Sequence, residues 1–100
     1  MATRLATKRP RARNADDDII PKAVLSRQIA GILRDRQLTQ TEAAYMIHDA
    51  PSQISLVVTG KTRGFSGERL LRMLSRLGRD IDIVTRPAKA KTGKVRVVVK

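Results

Sequence analysis

Between Leu25 and Leu77 the apolar residues return every three or four positions, the period of a helix that buries one side, and polar breaks cut this pattern into four stretches. The first runs from about Pro21 to Gln37, with Leu25, Ile29, Ile32 and Leu33 in one stripe. The second begins after Thr39. There Thr39 and Glu42 stand three apart as a capping box, and Ala43, Ala44 and Ile47 form the apolar face. The third starts near Pro51, whose missing N–H costs nothing in a first turn. It turns Ile54, Val57 and Val58 inward and leaves Ser52, Gln53, Ser55, Leu56 and Thr59 largely on the other side, a face able to read bases. In the fourth, Ser66 is the N-cap, Phe65 staples against Leu70, and Gly78 is the stop. Leu70, Leu71, Leu74 and Leu77 face the core there, and Arg69, Arg72 and Arg76 line a solvated side.

From Ile81 the period changes. Residues 81–85 read as a strand ending before Pro87, and residues 95–99, VRVVV, as another, with a basic, flexible PAKAKTGK between them. The two strands either form a hairpin or pair with a second subunit. An isolated ribbon is marginal in water, so the pattern favours a dimer through the C-terminal strand. A frayed, charged tail is the other reading of residues 88–100. The expected organisation is thus a basic arm over 1–20, a folded helical unit over 21–80, and C-terminal strands with a basic tail over 81–100.

A length of 100 residues allows one small domain with tails. Lys and Arg number 21 against nine Asp and Glu, a formal charge of +12, which favours a polyanionic partner. An anionic membrane surface is the weaker choice, since no run approaches the roughly 20 apolar residues of a span, and no apolar stretch backs the basic N-terminus. A cytosolic location is expected. There is no cysteine, which excludes zinc fingers and disulfides. Tyr45 and Phe65 are the only aromatics, too few for the stacking platforms of single-strand and RNA binders, so duplex DNA gains. Arg4, Lys8, Arg9, Arg11 and Arg13 mark the arm as either a solvated tail or a segment that tracks phosphates or a minor groove. Asp16, Asp17 and Asp18 diverge as neighbours and suit the positive end of the first helix better than a metal. Neither a cofactor nor a metal is expected. His48 is the sole histidine, and no serine or carboxylate stands at the spacing of a nucleophile and its base, so an enzyme is the weakest class.

The residues LTQTEAA at the head of the second helix, the small Ala44, Ile54 and Val57, and Gly60 behind the third helix resemble the Cro/repressor-type, or Xre-like, helix-turn-helix proteins. The following RGFSGERLLRMLSRLGRDIDIVTRP resembles a compact subgroup that includes HigA-type antitoxins. The resemblance covers roughly residues 22–87. It implies a mainly α, four-helix, lambda-repressor-like fold whose C-terminal strand or hairpin sits at a dimer interface. Two positions depart from the family pattern: His48 stands where glycine is usual in the turn, and Asp49 where an apolar residue is common. A histidine enters the left-handed region at modest cost. Either Ala50 or Asp49 caps the third helix, with Pro51 in its first turn.

Carried over by position, the resemblance puts Pro51, Ser52, Gln53 and Leu56 against base edges, with Gln53 able to pair with adenine and Leu56 to touch a thymine methyl. Gln40, Ser55, Thr59, Lys61 and Arg63 would lie along the phosphates. It implies a homodimeric, sequence-specific regulator, in the simplest case a repressor. The alternative is an antitoxin that binds a RelE-like toxin and its own operator. A basic toxin would repel this chain at long range. A third reading is nonspecific DNA coating through both basic tails.

Overall fold

The computed structural model describes residues 19–100. Among them are four helices: α1, Lys22–Asp35; α2, Gln40–Ile47; α3, Pro51–Val58; and α4, Gly67–Arg76. Residues 1–18 of the expected basic arm, Asp16, Asp17 and Asp18 included, lie outside the described residues.

Each helix ends the same way. The chain turns into the left-handed region at Gln37 (φ 55°), His48 (φ 66°), Gly60 (φ 83°) and Gly78 (φ 96°). The next residue's N–H then reaches back into the helix: Leu38 to Leu33 at 2.9 Å, Asp49 to Ala44 at 3.0 Å, Lys61 to Leu56 at 2.8 Å and Arg79 to Leu74 at 3.1 Å. These bonds satisfy carbonyls that a helix end leaves open. Glycine enters this region freely; Gln37 and His48 do so at a steric cost of about 1–2 kcal/mol each. His48 was foreseeable from the family comparison. Gln37 carries no such signal, and it stops α1 two residues short of the expected end.

The core is where the helical period put it. Leu25, Ile29 and Leu33 of α1 lie buried with Ala43, Ala44, Ile47, Ile54, Val57, Phe65, Leu70, Leu74 and Leu77. Ile32, Val58 and Leu71 pack against this cluster half-buried, and Met73 takes the buried place expected of Leu71. α1 lies on α4 and α3, and α2 packs on α3 and touches α4. Ser26 is buried within the aliphatic stripe of α1 because its hydroxyl donates to the Val57 carbonyl at 2.7 Å, tying α1 to the last turn of α3. Basic side chains do similar work: Arg36 donates to the Leu77 carbonyl at 2.8 Å and Arg76 to the Ile47 carbonyl at 2.9 Å, both at helix C-termini where a cation is favoured. Lys22 holds the loop before α4 through the Phe65 carbonyl at 3.0 Å. Part of the +12 charge is therefore scaffold.

The C-terminal strands are a correction. Among the described residues no strand forms: 81–85 and 95–99 make no ladder, and the expected hairpin is absent. Alternation buries a face only if another layer covers it. Here Ile83, Val84, Val95, Val98 and Val99 are exposed, and only Val97 reaches the core cluster. Lys89, Lys91, Lys94, Arg96 and Lys100 add mutual repulsion to an arrangement already marginal as a lone ribbon.

Candidate nucleic-acid interface

α2, the turn at His48, Asp49 and Ala50, and α3 form one unit. The Thr39 hydroxyl accepts the Glu42 N–H at 3.0 Å and Glu42 accepts the Thr39 N–H at 2.8 Å, the reciprocal capping box expected at this end. The helix starts at that point, with Gln40 and Thr41 exposed in its first turn. His48, at φ 66° and ψ 49°, then sends the chain out of α2 in a left-handed step. Ala50 is the N-cap of α3 and Pro51 its first residue; no side chain caps this helix. Asp49 instead accepts the Ala50 N–H at 3.0 Å and so braces the residue before the helix.

With Ile54 and Val57 fully buried, helical geometry leaves Ser52, Leu56 and Thr59 on the outer side, one or two turns apart. All three are exposed, as is Pro51. Leu56 is 37% exposed, an aliphatic side chain on the outer side of the helix. Lys61 and Arg63 are exposed in the following loop, and Ser55 is half-buried. The Thr59 hydroxyl hydrogen-bonds back to the Ser55 carbonyl at 2.8 Å and approaches that of Leu56 at 3.1 Å, so its single proton stays within the helix.

Gln53 differs from its neighbours. It is half-buried, and its Oε1 lies 3.4 Å from Nη2 of Arg69 on α4. The same Nη2 binds Asp49 Oδ2 at 2.8 Å, with the Arg69 and Asp49 side chains 37% and 20% exposed. The Arg69 guanidinium carbon stands 4.5 Å above the centre of the buried Phe65 ring. One arginine thus joins α4, the turn and α3. Its place in the Arg69, Arg72, Arg76 line pointed to a solvated face, a description that fits Arg72, paired with Glu68 at 3.2 Å, and the exposed Arg76, but not the half-buried Arg69. The signal for Arg69 was an acidic residue in a turn where an apolar one is common.

Among the described residues no helix is long and apolar enough to cross a membrane, and no group of three or more His, Cys, Asp or Glu is placed to hold a metal.

The family model of the helix-turn-helix domain matches residues 11–86. A solved structure described as an XRE family transcriptional regulator is similar, with 28% sequence identity and a TM-score of 0.65 over 75% of this chain and 84% of that one. No curated protein matches the chain. The family match closes at residue 86, inside the segment after α4 that makes no regular structure.

Proposed function

Because the chain belongs to the helix-turn-helix domain family, in Xre-like form, we propose that it binds duplex DNA sequence-specifically and regulates transcription, most simply as a repressor that occludes a promoter. The observation that carries this reading is the outer side of α3. Pro51, Ser52 and Leu56 stand exposed beside Gln53, on a helix whose other side is locked into the core. An exposed helix face of small polar residues and one aliphatic suits base edges in a major groove.

In this arrangement Pro51, Ser52, Gln53 and Leu56 face bases, with Leu56 meeting a thymine methyl. Gln40, at the exposed N-terminus of α2, and Ser55, Lys61 and Arg63 lie toward the backbone. Thr59 joins the backbone group by position alone, since its proton is used inside the helix. One protomer reads few bases, so a homodimer on a palindrome with half-sites about one helical turn apart supplies the missing discrimination. No observation favours the antitoxin reading, and the +12 charge opposes a basic toxin.

The test is selection of bound duplexes from a random pool near physiological salt, with Gln53→Ala in parallel. The expected result is a short palindrome for the wild type, with one position per half-site relaxed by roughly 1–3 kcal/mol in the variant. Uniform recovery of all sequences with steep salt dependence would replace this reading with nonspecific coating.

A further inference from the structure

Arginine donates hydrogen bonds and accepts none. The oxygen of the Gln53 amide must therefore be the end that faces Arg69, and the Gln53 NH2 group points away from α4. Arg69 is itself held on three sides. Its backbone N–H donates to the Ser66 hydroxyl at 3.1 Å, its guanidinium carbon lies over the Phe65 ring, and Asp49 accepts from its Nη2. Asp49 is fixed in turn, because its other oxygen accepts the Ala50 N–H. Nη2 carries two protons, one for Asp49 and one for Gln53, so both bonds form together.

From this geometry we propose that Arg69 is a positioning residue for base recognition and that Asp49 sets Arg69, so that Gln53 meets the major groove with its NH2 group leading. The inference rests on the DNA-binding function proposed above. A two-bond hold on adenine needs the amide oxygen as well as the nitrogen. With that oxygen turned back toward Arg69 on α4, the nitrogen leads and reads acceptors: N7 of a purine, O6 of guanine or O4 of thymine. The position read by Gln53 is then defined by an acceptor in the groove rather than by adenine alone. The pairing also withdraws the Arg69 charge from the phosphates, since Asp49 neutralises it locally.

Two substitutions break the arrangement from opposite sides. Arg69→Met removes the donors and keeps a stem over Phe65. Asp49→Asn keeps an oxygen for the Ala50 N–H and turns its own NH2 toward Arg69, donor against donor, while leaving the Phe65 contact intact. Arg69→Met lowers the net charge by one and Asp49→Asn raises it by one, so their affinities for random DNA move in opposite directions. A purely structural clamp predicts that base preference follows fold stability and nothing else. Pool selection is run for wild type, Gln53→Ala, Arg69→Met, Asp49→Asn and the double variant Arg69→Met/Gln53→Ala, each at a temperature where circular dichroism shows it folded.

The expected result is that the wild type demands an acceptor at one half-site position and that all three single variants relax that position alike, about tenfold. The double variant relaxes it no further than Gln53→Ala. If Arg69→Met does not fold, Asp49→Asn decides the question. Wild-type preference retained in the folded Arg69→Met and Asp49→Asn proteins, with Gln53→Ala relaxed, overturns the inference and leaves the DNA-binding function standing. A position unmoved by Gln53→Ala also overturns it. A wild-type protein that enriches no sequence overturns the function and the inference together.

Discussion

Helices α1–α4 and the segment from residue 81 to 100 are both rich in aliphatic residues at regular intervals, but only the helices bury them. The difference lies in where the backbone hydrogen bonds can go. A helix closes its own ladder, and the four left-handed ends at Gln37, His48, Gly60 and Gly78 satisfy several of the remaining carbonyls locally. An apolar stripe then needs only another stripe, which the neighbouring helix supplies. The C-terminal segment has the period of a strand, and a strand must find both its hydrogen bonds and its covering layer elsewhere. Among the described residues of this chain neither is present, so Ile83, Val84, Val95, Val98 and Val99 are exposed. Hydrophobic patterning drives folding only where the element it specifies can complete itself or meet a partner.

The strongest way to sharpen this contrast is a cavity in the helical body. Ile54 is fully buried, and Ile54→Ala is expected to cost about 2–5 kcal/mol in urea unfolding. A smaller effect, of opposite sign, tests the helix ends: Gln37→Gly removes the strain of a left-handed glutamine and should raise stability by about 1 kcal/mol. The smallest is expected in the tail, where Ile83→Asp and Val98→Asp should each change stability by less than about 0.5 kcal/mol because both side chains are already exposed. A loss of 2 kcal/mol or more from either tail substitution, on the scale of a core deletion, would break the comparison.

Much of the fold was legible before any coordinates. The capping box at Thr39 and Glu42, Pro51 opening α3, Ser66 capping α4 and the stop at Gly78 are local chemistry within four residues, and each is found where it was expected. Met73 was missed because the period on α4 admits either it or Leu71, and only the direction of α1 decides between them. Ser26 was passed over because a serine inside an aliphatic stripe gives no hint of the Val57 carbonyl 31 residues away. The candidate interface divides in the same manner. Helical spacing foretold that Ser52 and Leu56 would face outward, but it could not show that Gln53, on the same helix, would be drawn to Arg69, or that Thr59 would turn its proton inward.

Four helices, their starts, three of their stops, most of the core and the outward side of α3 follow from the order of residues alone, because caps, turns and periodicity act over a few neighbouring positions. Helix packing alone decided which arginines are scaffold, which one reaches across to Asp49 and Gln53, and that the strand-like pattern after residue 80 stays unpaired. Those outcomes depend on which groups far apart in the chain come within hydrogen-bonding distance, and that distance exists only once the helices have packed.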